Sequence, residues 1–284
     1  MVDMTLTDRA KAADSVEAFT SLETEGLTLG YGEEPVVHDL TVSVPQGVVT
    51  SIVGANGCGK STLLRGMARL LTPRSGKVLL NGSDIHGLAT RDVARIVGLL
   101  PQNPVAPEGI TVADLVGRGR YPHQGWFRRW TAEDDRAVQD ALTATDTLDL
   151  AERSVDELSG GQRQRVWIAM TLAQRTDLLL LDEPTTFLDI AHQVEVLDLL
   201  LELNRTQGTT VVMVLHDLNL AARYSDHLVA MREGRIYASG RPRDVVTEDL
   251  VRDVFGLSAK VYPDPVAGTP SLSPLVRNPE HLPT

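Results

Sequence analysis

From Val48 the chain runs Val48-Val49-Thr50-Ser51-Ile52-Val53, then Gly54-Ala55-Asn56-Gly57-Cys58-Gly59-Lys60-Ser61-Thr62, then Leu63-Leu64-Arg65-Gly66-Met67-Ala68-Arg69-Leu70-Leu71. An apolar run, a glycine-rich turn and leucines at helical spacing predict strand, loop and helix in that order, the setting of a phosphate-binding loop. Glycines let the backbone curl until successive N–H groups face phosphate oxygens, and the new helix adds its positive end. Lys60 can reach the outer phosphates, and the Ser61 hydroxyl can ligate magnesium. Cys58 inside the loop reads either as a small filler or as a thiol beside the nucleotide.

At 284 residues the chain holds one large domain or two modest ones. Its longest apolar runs, such as Leu178–Leu181 and Val211–Leu215, are too short to cross a bilayer. No basic and apolar leader opens it, and its single cysteine forms no internal disulfide. A net charge of -11 weighs against nucleic acid or anionic lipid as a partner. Any membrane role therefore comes through another protein.

Residues 1–20 are polar, without apolar periodicity, and are expected to form a mobile tail. Between Gly26 and Val49, β-rich runs are broken by Gly30-Tyr31-Gly32 and Pro45-Gln46-Gly47, which predicts strands joined by turns. Tyr31 at the first turn offers a flat ring on which a base can stack. Ile96-Val97-Gly98-Leu99-Leu100 runs into Pro101-Gln102-Asn103-Pro104, where the prolines exclude regular helix around Gln102.

From about 105 to 175 the pattern turns helical, as for an insertion in an otherwise α/β chain. Within it, Arg118–Trp130 interleaves basic and aromatic residues and is expected to be an exposed protein-docking surface. Leu158-Ser159-Gly160-Gly161-Gln162 precedes a helix; Ser159 suits an N-cap, and the glycines bare two N–H groups for a second phosphate-binding terminus. Leu178–Leu181 is apolar on every side, as in a central parallel strand, and ends in Asp182-Glu183. Carboxylates at that edge suit magnesium (Asp182) and an attacking water (Glu183). A second strand, Thr210–Leu215, ends in His216. From Asp264 onward a proline-rich tail is expected.

Taken together, Gly54–Thr62, Gln102, Leu158–Gln162, Leu181–Pro184, Leu188-Asp189 and His216 resemble the motif set of an ABC-transporter ATP-binding subunit over roughly residues 22 to 276. The resemblance implies a P-loop cassette: a mixed-sheet RecA-like core (21–104 and 176–262), an antiparallel β subdomain, and an inserted helical signature subdomain (105–175), followed by a tail (263–284). It implies adenine on Tyr31, phosphates on the loop with Lys60, magnesium and water ordered by Ser61, Asp182 and Gln102, and Glu183 as general base. His216 would contact the transferred phosphate. Ser159, Gly160, Gly161, Gln162 and Asp189 would act on the ATP of a second, head-to-tail subunit.

Ile110-Thr111-Val112, Gly117–His123, Ser159–Ala169, Pro184–Ile190, His216–Asn219 and Asp264–Pro270 look like the ATPases of iron-siderophore importers, most like the ferric enterobactin type. Ala55 and Phe187 depart from that pattern, where proline and tryptophan are frequent. The implied partners are MgATP, membrane permease subunits on the cytoplasmic face, and, indirectly, a periplasmic or lipid-anchored siderophore-binding protein. Import of cobalamin or haem, or a non-transport ABC ATPase, are the competing readings.

Overall fold

The computed structural model describes residues 19–124 and 130–275. The β-rich start forms β1 (Leu22–Tyr31) and β2 (Glu34–Val44), joined at the Tyr31–Gly32 turn, and β3 (Val49–Gly54) follows. The loop leads into α1 (Lys60–Met67), then β4 (Ser75–Leu80), β5 (Ser83–Asp84), α2 (Thr90–Ile96) and β6 (Val97–Leu100). The helical stretch supplies α3 (Val112–Gly117), α4 (Ala132–Ala144) and α5 (Gly160–Ala173). The chain then returns through β7 (Leu178–Asp182), α6 (Ile190–Gln207), β8 (Thr210–Val214), α7 (Leu218–Tyr224), β9 (His227–Arg232) and β10 (Arg235–Gly240). It closes with α8 (Pro242–Val245), α9 (Glu248–Phe255), β11 (Ala259–Pro263) and β12 (Pro270–Pro274).

Six strands form one sheet in the order β10-β9-β3-β8-β7-β6, parallel except for β10. A second, antiparallel sheet runs β2-β1-β4-β5. The leucines of β7 divide between two cores, which is why the strand is apolar without alternation. Leu178 and Leu180 pack with the antiparallel sheet and α1, while Leu179 and Leu181 pack with the helices inserted after β6. The sheet thus carries an apolar layer on each face, and its carboxyl edge receives the ends of β3, β7 and β8. The fold is a P-loop α/β cassette. Among the described residues, no helix is long and apolar enough to cross a membrane.

Two sequence expectations change, and a third gains a strand. Residues 1–18 lie outside the described residues, but Phe19, expected in a mobile tail, is 2% exposed, and its N–H donates to Asp177 (3.1 Å). Within the described residues the proline-rich tail adds a strand: β12 pairs with β11 in a hairpin, because proline is tolerated on an edge strand whose N–H would face outward.

In the basic-aromatic stretch, Tyr121 and Trp130 are exposed, whereas Arg120 is buried. Its Nε donates to Asp134 at 2.9 Å and its guanidinium reaches the Ala173 carbonyl at 2.9 Å, so it braces the helical layer instead of facing a partner. Residues 125–129 of that stretch lie outside the described residues.

Candidate functional site

Gly54 ends β3 with φ +152°, and a Cβ there would lie 2.3 Å from the Met231 carbonyl and 2.7 Å from Cys58 Sγ. Gly59, at φ +103°, occupies the N-cap of α1 and offers no side-chain cap, so the first N–H groups of the helix stay open toward the loop. Lys60 is buried, and its ammonium donates to the carbonyls of Gly54 (2.9 Å) and Ala55 (3.0 Å), which holds the charge across the mouth of the loop. A cavity of about 490 Å³ opens here, lined by Tyr31, Asn56, Gly57, Gly59–Thr62, Gln102, Glu183 and His216.

Cys58 faces the other way, into the core between the two sheets. Burial pushes its thiol pKa up, outweighing the opposing pull of Lys60. Of the two readings of this residue, the filler holds: its backbone belongs to the loop and its sulfur does not. Maleimide labelling of the native protein is therefore expected to be slow with or without nucleotide, and rapid only in denaturant; fast native labelling blocked by ATP would contradict this.

The strand ends bring the polar groups together. Ser61 Oγ donates to Asp182 Oδ1 at 2.8 Å, while Asp182 Oδ2 is buried with no hydrogen-bond partner among the described residues. Burial raises the Asp182 pKa, Ser61 opposes it, and the neighbouring Glu183 charge raises it further. A buried carboxylate oxygen left open beside a hydroxyl is the donor set that a hard divalent cation takes, so these residues fit magnesium.

Glu183 adopts φ +57°, an uncommon conformation for a non-glycine residue. His216 Nε2 lies 2.6 Å from its Oε1, and the Thr186 hydroxyl donates to its Oε2 at 3.1 Å. Burial alone would raise the Glu183 pKa, but hydrogen bonds from His216, Gln102 and Thr186 outweigh it and hold the carboxyl below its usual range. Glu183 is therefore ionised near neutral pH, with its oxygens aimed by the donors around it. Tyr31 stands at the rim, 50% exposed, its hydroxyl accepting from Arg65 at 3.0 Å.

The remaining predicted residues form a separate group that does not line this cavity. Ser159 Oγ accepts from the Gln162 N–H (3.3 Å) and Gln162 Oε1 accepts from the Ser159 N–H (3.1 Å), so the two residues close the start of α5 reciprocally. Gly160 and Gly161 lie exposed or half-buried at that helix end, next to Phe187 and Leu188. Asp189 caps α6 through the His192 N–H (3.0 Å). Gln164 ties the two segments by donating to the Pro184 carbonyl at 3.0 Å.

Thr186, Gln164 and Arg65 were not singled out in the sequence. The Thr186 contact had a faint signal, since a threonine three residues after a strand-end carboxylate can reach back to it.

A glycine-rich loop at the head of a helix, facing carboxylates at the edge of a parallel sheet, defines a P-loop nucleoside-triphosphatase cassette. The ABC transporter family model matches residues 37–186. The ferric enterobactin transport ATP-binding protein of Escherichia coli is 56% identical over 261 residues, 92% of this chain and 96% of that protein. The probable siderophore transport system ATP-binding protein of Bacillus subtilis is 56% identical over 255 residues, 90% and 93% of the two chains. Among solved structures, a metal-chelate type ABC transporter in an inward-facing conformation matches with a TM-score of 0.77 at 29% identity, covering 90% of this chain and 98% of that one. A dimeric cassette in a post-hydrolysis state with ADP and Pi matches with a TM-score of 0.70 at 27% identity, covering 78% and 98%. The chain belongs to the ABC transporter family as an ATP-binding subunit, and ATP hydrolysis is the activity of that family.

Proposed function

We propose that this chain hydrolyses MgATP at a head-to-tail interface between two copies and thereby powers uptake of an iron(III)-siderophore complex through membrane permease subunits. The observation that carries the motor is the cluster of Lys60, Ser61, Glu183 and His216 around one cavity, with Asp182 bonded to Ser61 behind its wall. Lys60 and the open N–H groups of the loop hold the phosphates, and Tyr31 offers its ring to the base. Ser61, Gln102 and the free oxygen of Asp182 would hold magnesium, which neutralises phosphate charge when bound. Glu183 orients water and takes its proton, and His216 holds the Glu183 carboxylate while facing the transferred phosphate.

Ser159, Gly160, Gly161, Gln162 and Asp189 serve the second nucleotide; their place outside this cavity, with Ser159, Gly160 and Asp189 exposed, supports that reading, as does the dimeric solved relative. Residues 21–104 and 176–262 make up the ATP-binding core and 105–175 the signature subdomain. A groove of about 650 Å³ in that subdomain, lined by Ile110, Asp114, Arg118, Tyr121 and Trp130 among others, suits a permease segment on the cytoplasmic face. A siderophore-binding protein outside the membrane would act only through the permease.

The siderophore reading rests on what the two relatives above are named for. The motor is tested by steady-state hydrolysis with the purified protein. Turnover should require Mg2+, stop with EDTA, and fall at least about a hundredfold in Asp182→Asn. Magnesium-independent hydrolysis would contradict the assignment of Asp182 and Ser61.

A further inference from the structure

Asp264-Pro265-Val266-Ala267-Gly268-Thr269-Pro270 takes no part in the ATP site. It makes the tight end of the β11–β12 hairpin. Asp264 Oδ1 accepts from the N–H groups of Val266 (3.0 Å) and Ala267 (2.7 Å), and the Gly268 N–H donates to the Asp264 carbonyl at 2.8 Å. In an antiparallel pair, alternate residues face the partner strand. The Asp264 N–H reaches the Thr269 carbonyl, and the Leu275 N–H reaches Ser258, which turns Pro270, Leu272 and Pro274 toward the outer edge.

Two of those three have no N–H to offer, and this blunts the edge against further strands. The third, Leu272, gives its N–H to Asn219 Oδ1 at 2.8 Å, and Asn219 Nδ2 donates back to the Leu272 carbonyl at 3.4 Å. The carboxamide thus pairs with Leu272 as a neighbouring strand would.

Asn219 lies in the first turn of α7, three residues after His216. That helix has only seven residues, too short to hold itself in water. Its start is fixed by Asp217 Oδ1, which accepts from the N–H groups of Asn219 (2.8 Å) and Leu220 (2.9 Å), and by the hairpin. Leu220 and Leu272 pack against the same core. At the head of the helix, His216 meets Glu183 at 2.6 Å, a separation that tolerates little drift.

We propose that the C-terminal hairpin clamps the first turn of α7 through Asn219 and so positions His216 against Glu183. Asn219 is then a positioning residue for hydrolysis, and the Asp264–Pro270 turn exists to deliver Leu272 to it. The inference rests on the role assigned to His216.

The test is steady-state hydrolysis by the full-length protein together with its thermal midpoint. Asn219→Ala should lower kcat about fivefold or more while leaving the KM for ATP and the midpoint nearly unchanged. Asn219→Asp keeps the acceptor for the Leu272 N–H and should recover most of the loss. Leu272→Pro removes that N–H from the hairpin side, at a position midway between Pro270 and Pro274, and should reproduce the loss with the sequence of α7 unchanged. His216→Ala separates the two layers of the argument. If turnover survives it, the role of His216 fails and the clamp fails with it. If it abolishes turnover while Asn219→Ala and Leu272→Pro keep wild-type kcat, or change only the thermal midpoint, the clamp is overturned and His216 keeps its role.

Discussion

Glu183→Gln is expected to bind ATP as the native chain does and to lose turnover by about 10²- to 10⁴-fold, the range for removal of a positioned general base. The amide keeps the shape of the side chain and its contact with Thr186, so the cavity should persist. It loses the charge that can take a proton from water. Asp182 cannot substitute, because one of its oxygens is engaged by Ser61 and the other is open to a cation. Since the surrounding donors hold Glu183 ionised, the loss should be the same at every pH near neutrality. With hydrolysis blocked, ATP should accumulate a dimer detectable by size-exclusion chromatography. Turnover at the native rate would remove Glu183 from its role.

The second large effect falls far from the nucleotide. Arg120 and Asp134 form an ion pair whose side chains are 3% and 6% exposed, closed further by the Ala173 carbonyl and the Thr131 hydroxyl. Arg120→Met leaves the carboxylate buried without its partner and should destabilise the protein by about 3–5 kcal/mol, read as a fall in the urea midpoint. Adding Asp134→Leu should recover part of that loss, because no charge then remains to be solvated. Burial pushes the Asp134 carboxyl up, but the bonds from Arg120 and Thr131 outweigh it and hold the group below its ordinary value. Its contribution is therefore complete above about pH 3.9, the unfolded value, and is lost as pH falls through the lower folded one. The gap between the native protein and Arg120→Met should narrow in acid; a gap constant with pH would contradict the ionised pair.

The same pair marks where the sequence could and could not be read. The phosphate loop is local: strand, glycines, lysine and helix are contiguous, so Gly54, Gly59, Lys60 and Ser61 were legible from spacing alone. Asp182, Glu183 and His216 were legible one step less directly, because a continuous apolar strand places its last residues at one sheet edge. Arg120 was misread since a basic residue among aromatics has the composition of a surface, and its partner Asp134 starts a different helix. Phe19 was misread for a similar reason: one apolar residue after a polar run has no periodicity to declare its burial, and the groups that fix it, Asp177 on its N–H and Gln46 on its carbonyl, lie far off in the sequence. The pairing of β12 has no periodic signal in the prolines after Asp264; the spacing of four between Pro270 and Pro274 leaves one outward N–H, that of Leu272, between them. The direction of the Cys58 side chain depends on the curl at Gly54, which no pattern of residue types conveys.

The most direct test of the central claim is uptake of radiolabelled iron on a catecholate siderophore by cells lacking the chromosomal copy, complemented with the intact chain or with Lys60→Ala. Uptake restored by the intact chain and not by Lys60→Ala is the predicted result, since only the former can hold the phosphates that drive transport. Equal uptake from the two, with hydrolysis by the purified native protein intact, would contradict the claim and leave an ATPase with a different cargo.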